Sequence, residues 1–325
     1  MPTQRVIQAA SDGSAIKPLT ARPRLFRSLI TAARNHGVLV VASLVLRRLG
    51  ELVRVRRAES AELCAGLVRG KAGLEIGGPS GAFSRRGPLP IYRHAARMDN
   101  CNFAGETVWE GEIDEGVPFR PGRGLATGTQ FIREATALKG IADEVYDFVC
   151  SSHTLEHVAN PLAALEEWLR VLRPGGTLVL LLPHKDGTFD HRRPVTTLVH
   201  IMDDHAKGTG EDDLTHLDEI LELHDLARDP LAGGFADFKA RSRINTVNRC
   251  LHHHVFDTEL AVRLVDHAGL QILATERAGS IDIILICSKP EAGVRSDNRL
   301  FLADTAEFRG VCPSPSDRAN SRSSG

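Results

Sequence analysis

The chain has 325 residues, 42% apolar and 25% charged, with a formal net charge of −1. That composition is ordinary for a soluble globular protein, and the near-zero charge lends no support to a nucleic-acid partner. Its six cysteines are scattered singly with no C-x-x-C pair, which argues against a disulfide framework or a cysteine zinc knot and fits reduced thiols in a cytoplasm.

Residues 1–57 are strongly basic, with Asp12 and Glu51 as their only acids. They open with no secretory signal and read as a basic helical extension, one or two helices broken near Gly37 or Gly50. The apolar run from Val38 to Leu46 reaches about half of a membrane span, so a cytoplasmic protein is expected. Flanking arginines leave open a helix lying on an anionic membrane, beside the simpler expectation of a solvated basic helix.

From about Ala58 short apolar runs alternate with helical stretches. Strands are expected at 73–77, 96–99, 130–134, 147–151 and 177–182. Between the last two, Leu162, Leu165, Trp168, Leu169 and Leu172 share one helical face, and Arg173-Pro-Gly-Gly176 stops that helix. Buried strands alternating with helices predict a parallel, doubly wound sheet. Residues 186–250 carry no strand signal and many acids and histidines, so they read as a helical insertion. Asp257 then caps a helix to His267. Residues 270–277 and 281–287 read as an antiparallel hairpin closing the sheet, joined at Ala278-Gly-Ser280. The tail 291–325 is expected to be disordered.

Chemistry concentrates at the strand ends. Leu74-Glu-Ile-Gly-Gly-Pro-Ser-Gly81 ends the first strand in a glycine-rich turn, which lets backbone approach a ligand closely. Asp99 ends the second strand at about the interval where a carboxylate grips the hydroxyls of a ribose. His153, Glu156 and His157 repeat the H-x-x-E-H spacing of an inverted zinc-peptidase motif. A peptidase would need a third ligand on a downstream helix, and Pro161 and Gly175-Gly176 interrupt that layout.

Together "LEIGG", "RMDN", "REATAL", "YDFVCSSHTLEHV", "ALEEWLRVLRPGGTLVLLLPHK" and "LQILATERAGSIDIILICSKP" resemble the class I S-adenosylmethionine-dependent methyltransferases over roughly residues 60–185 and 255–290. The resemblance implies a Rossmann-like α/β fold over residues 58–290, with a doubly wound, mostly parallel, seven-stranded sheet and an antiparallel last strand. It implies S-adenosylmethionine as methyl donor. Glu75, Gly77 and Gly78 would form the turn for the amino-acid moiety, Asp99 would bind the ribose, Glu134 and Ala135 would meet the adenine, and Ser152 with His153 would line the methyl-donor pocket. The family writes "LEH" after the fourth strand without a metal. One departure stands out: Pro79 replaces a glycine and has no N–H to give a carboxylate.

O-methylation of a small-molecule or sugar hydroxyl, with a histidine base, is the expected reaction. His184 follows the fifth strand, and Leu251-His-His-His-Val255 returns to the sheet. If that stretch is extended, His252 and His254 face one way and His253 the other. His184, His253 and His153 are the candidate bases, with His252 and His254 as the other members of the 252–254 run. Carboxylates and histidines around Gly210-Glu-Asp-Asp-Leu-Thr-His216 could also bind a divalent metal, but none is predicted, because Asp212 or Asp213 can simply cap a helix. A nitrogen, thiol or lipid-linked acceptor remains open, as does a non-catalytic S-adenosylmethionine-binding subunit.

Overall fold

The computed structural model describes residues 56–122, 124–311 and 314–319. The basic extension, and with it the expected membrane contact, lies outside the described residues except for its last two positions. No described helix is long and apolar enough to cross a membrane.

The elements are α1 (Ala61–Val68), β1 (Ala72–Ile76), β2 (Arg97–Asn102), the short β3 (Glu106–Thr107), β4 (Gly111–Glu112) and β5 (Pro118–Phe119), then β6 (Gly128–Ile132) and β7 (Tyr146–Ser152). They continue with α2 (Pro161–Val171), β8 (Leu172–Pro183), α3 (Leu198–Lys207), α4 (Leu217–Leu223), α5 (Phe235–Ser242), α6 (Asn245–Asn248), α7 (Thr258–His267), β9 (Gln271–Ala278) and β10 (Asp282–Ser288). Three short helices follow: α8 (Arg299–Leu302), α9 (Glu307–Val311) and α10 (Pro315–Ala319).

Eight strands form one sheet in the order β5-β6-β2-β1-β7-β8-β10-β9. β6, β2, β1, β7 and β8 run parallel, and β10 is antiparallel to both β8 and β9. The two-residue β5, antiparallel on the β6 edge, brings the expected seven strands to eight.

Both faces of the central strands are covered, which is why they read as unbroken apolar runs. Along β8, Leu178, Leu180 and Leu182 enter one core with α2 and α7, while Val179 and Leu181 enter the other with α1, Phe83 and Tyr92. Asn160 caps α2 by accepting from Ala163 N, and Asp257 caps α7 by accepting from Leu260 N. The insertion holds α3 to α6 and no strand among the described residues.

Two expectations need correction. No α-helix joins β1 to β2, only turns of 3-10 helix at Gly81–Phe83 and Ile91–Arg93, because Pro79, Pro88 and Pro90 break any helical run. The tail is not disordered through 319. Ala306 and Phe308 enter the core, and the buried Asp317 accepts hydrogen bonds from Thr258 N at 3.0 Å and Thr258 Oγ1 at 2.7 Å. Polar composition hid a few anchors with large burial.

Candidate active site

A cleft of about 650 Å³ opens at the carboxyl ends of β1, β2, β6 and β7, within the range that holds a drug-sized ligand. Ile76, Gly77, Pro79 and Ser80 form one wall. Gly77 has φ +84°, and a Cβ there would lie 2.1 Å from Thr154 Oγ1, so only glycine fits. At Gly78 a Cβ would lie 2.1 Å from the carboxyl carbon of Glu75. The bare turn therefore presents backbone where the cleft begins.

Glu75 itself turns inward. Its carboxyl accepts from Tyr92 Oη at 2.9 and 2.8 Å and from Ser80 N at 2.9 Å. Gly78 N is likewise committed, to Asn100 Oδ1 at 3.1 Å. Neither Glu75 nor Gly78 lines the cleft; they shape the turn that does. Burial pushes the Glu75 carboxyl up to about 8, against the opposing bonds from Tyr92 and Ser80. The folded state thus holds its proton between the ordinary 4.5 and about 8, and its stability falls as pH rises through that window. Glu75→Gln, which cannot ionise, should flatten that part of a plot of melting temperature against pH. An unchanged slope would assign it to other groups.

Asp99 is not in the cleft, contrary to its expected contact with a ribose. It sits three residues before the end of β2, almost fully buried, and accepts from Arg97 Nε and Nη2, Thr129 N and Tyr146 Oη. The tip of β2 is Asn102, which does line the cleft. Strand β2 runs three residues further than the sequence signal, so the acid falls short of the edge.

Glu134, Ala135, Ser152 and His153 line the cleft. Trp168 Nε1 donates to Ala135 O at 3.0 Å, tying the strand-end loop to α2. Arg249, from the insertion, lies 2.6 Å from Glu134 and 2.8 Å from Glu211, and stacks over Phe103. His153 has φ +52° and places Nε2 2.8 Å from Asp282 Oδ1.

Two of the candidate bases are elsewhere. His184 is fully buried and pairs with Phe256 by a β-bridge, its Nε2 3.1 Å from Asp317 under the returning tail. His253 is buried with Nε2 3.0 Å from Asn245 Nδ2, and burial pushes it down to about 4, so it stays neutral. The 251–255 segment is not a strand, so alternation does not govern it: His252, His253 and His254 find separate partners.

His252 also reaches the cleft, beside His153 and His157, and has a buried carboxylate behind it. Its Nδ1 lies 2.5 Å from Asp190 Oδ2. Arg193 Nη1 in turn donates to Asp190 Oδ1 at 3.0 Å and to His252 O at 2.9 Å. Burial raises the Asp190 carboxyl, but His252 and Arg193 outweigh it and hold it at about 2. A carboxylate accepting from Nδ1–H leaves the lone pair on Nε2. Beside it stand Glu156 and His157, with one ligand-type atom from each of the three residues within 4.8 Å of the others. Glu156 is fully buried and neither carboxyl oxygen has a hydrogen-bond partner; burial raises its pKa. Trp109 packs on His157 and Phe189 on His252. Asp190 and His252 are 62 positions apart, and no local pattern announces such a pair.

Residues 118–180 match the methyltransferase domain family, across β5 to β8 and the "LEH" turn. The match supports the resemblance to the class I S-adenosylmethionine-dependent methyltransferases. The chain is similar to solved structures at low identity. One is an S-adenosylmethionine-dependent methyltransferase from Aquifex aeolicus, 14% identical, covering 71% of this chain and 88% of that one at TM-score 0.40. Another, from Mesorhizobium loti, is 13% identical over 71% and 98% at 0.41. The methyltransferase CalH, solved with S-adenosylhomocysteine, is 13% identical over 80% and 62% at 0.43. Comparison with curated proteins found no match. The bare glycine turn and the size of the cleft fit S-adenosylmethionine as a methyl donor.

Proposed function

We propose that the enzyme methylates a hydroxyl of a small polar acceptor, such as a sugar, with His252 as general base and Asp190 orienting it. The observation that carries this is the buried Asp190–His252 contact at the cleft wall, locked by Arg193. The aromatic faces of Trp109 and Phe189 suit the apolar face of a sugar ring, and Glu156 and His157 suit its hydroxyls.

Gly77, Ser80, Asn102, Glu134, Ala135 and Ser152 would hold the donor, since all six line the cleft. When bound, S-adenosylmethionine supplies a methyl group activated by a sulfonium leaving group. His252 Nε2 takes the proton that the acceptor hydroxyl loses as its oxygen bonds the methyl carbon. Asp190 stabilises the imidazolium that results, and Arg193 keeps the carboxylate in place. Most of the remaining rate comes from holding the two reactants in line.

Saturating S-adenosylhomocysteine should raise the melting temperature by several degrees, since a ligand at 100 times its Kd adds about 2.7 kcal/mol. Purified protein given the donor with sugars and phenols should then release S-adenosylhomocysteine. No thermal shift would refute donor binding at this cleft. Turnover on amines or thiols with none on hydroxyls would refute the acceptor class. The partnerless oxygens of Glu156 favour a second reading, a divalent cation chelating the acceptor at Glu156, His157 and His252. Under that reading Glu156→Gln abolishes turnover; with His252 as base it keeps kcat at saturating acceptor.

A further inference from the structure

The insertion brings a second cluster of histidines together, away from the cleft. His200 and Asp204 stand one turn apart on α3. His216 comes from the loop entering α4, and His254 from the segment that returns to the sheet. His200 Nε2 lies 2.9 Å from His216 Nε2 and 3.1 Å from Asp204 Oδ2. His254 Nε2 lies 4.0 Å from the same carboxylate oxygen. None of the four residues lines the cleft.

We propose that His200, Asp204, His216 and His254 bind one divalent transition-metal ion, with zinc the best match to the ligand set. Three imidazoles and one carboxylate make a complete tetrahedral set for zinc. Zinc–nitrogen bonds of about 2.0–2.1 Å put tetrahedral ligand atoms roughly 3.3 Å apart. The 2.9 and 3.1 Å separations lie near that value; ligand atoms of His200, Asp204 and His254 already stand within 4.8 Å of one another, and the His254 and His216 rings have to turn inward to complete the set.

The surrounding groups fit an ion as well. Thr209 Oγ1 donates to Asp204 Oδ1 at 3.0 Å, fixing the carboxylate with Oδ2 toward the histidines. Outer-shell bonds of this kind orient metal ligands. His254 is almost fully buried, its Nε2 lies 3.1 Å from Ala159 O, and its Nδ1 has no hydrogen-bond partner. Binding through Nε2, the nitrogen nearer Asp204, would exchange the Ala159 O contact for a metal bond. His200 and His216 remain part-exposed, which gives an ion a way in.

The proposed ion would tie α3 and the start of α4 to the 251–255 segment, beside the start of α2. It therefore anchors the stretch of chain that carries His252 without touching the cleft. The competing arrangement is a plain hydrogen bond between neutral His200 and His216, which needs no metal.

The test uses the full-length protein, stripped with a chelator, dialysed and titrated with Co²⁺. One equivalent should bind with the visible d–d bands of four-coordinate Co²⁺, disappear on adding Zn²⁺, and raise the melting temperature by several degrees. His200→Ala and His216→Ala, both at part-exposed positions, should lose the bands and that rise. Each should match the wild type's melting temperature in chelator, which separates a lost ion from a failed fold. Glu156→Gln should keep both signals, because its cluster is in the cleft. Failure to bind Co²⁺ at micromolar concentration would overturn the proposal, as would binding unchanged by both histidine variants. Loss of the bands in Glu156→Gln with retention in His216→Ala would place the ion in the cleft and overturn it too.

Discussion

His252→Ala is expected to lower turnover on a hydroxyl acceptor by about a hundredfold to ten-thousandfold, the usual worth of a positioned general base. The shift in melting temperature caused by S-adenosylhomocysteine should survive, because Gly77, Glu134 and Ser152, the residues proposed to hold the donor, are left in place. Asp190→Asn should lower kcat in the same direction. An amide oxygen can still accept from Nδ1–H, but it cannot stabilise the imidazolium as a carboxylate does. The Asp190 carboxyl is held at about 2, so it stays ionised at every pH where activity would be measured. Its contribution to stability is present above its ordinary 3.8 and is lost only as pH falls toward about 2. A pH–rate profile between 5 and 9 therefore reports on other groups. The comparison that decides the assignment is with His184→Ala and His253→Ala, whose rings are buried against Asp317 and Asn245. Those variants should lose stability more than chemistry. A full loss of turnover in either one, with His252→Ala active within tenfold of the wild type, would refute the assignment of the base.

Asp99→Ala is expected to cost roughly 2–4 kcal/mol of stability, because it leaves the Tyr146 hydroxyl and Thr129 N–H without their acceptor in a buried site. Binding of S-adenosylhomocysteine by the variant that remains folded should be close to that of the wild type. Chemical denaturation gives the first quantity, and calorimetry below the variant's melting temperature gives the second. The reverse pattern, intact stability with lost binding, would restore Asp99 to the ribose. Asn102→Ala supplies the counterpart. It stands at the tip of β2 and should weaken donor binding, although Asn102 Nδ2 also donates to Gly78 O and part of the effect passes through the turn.

The positions of the strands were legible in the sequence because each central strand is buried on both faces and leaves an unbroken apolar run, as in Thr177-Leu-Val-Leu-Leu-Leu182. The glycine turn was legible because Gly77 must adopt a left-handed conformation. Where a strand stops was less so. The polar residues of Arg97-Met-Asp-Asn-Cys-Asn102 resemble a turn, yet Asn100 and Asn102 are bonded to each other, to Gly78 and to Gln130 inside the sheet. That extension moved the strand tip from Asp99 to Asn102.

The sequence by itself determined the alternation of elements, the cap of α7 at Asp257 and the turn at Gly77. These depend on periodicity and on neighbours a few residues apart, which a linear chain displays directly. Tertiary structure alone brought His252 to the cleft and kept His184 and His253 out of it. The 14 histidines are chemically alike in the sequence, and burial and partners sort them: Asp317 beside His184, Asn245 beside His253, Asp190 behind His252 and Asp204 near His254. Each of those partners lies many residues away, brought close by an insertion and a tail that fold back on the sheet. Contacts of that range depend on how whole elements pack, and local residue preference carries no record of them.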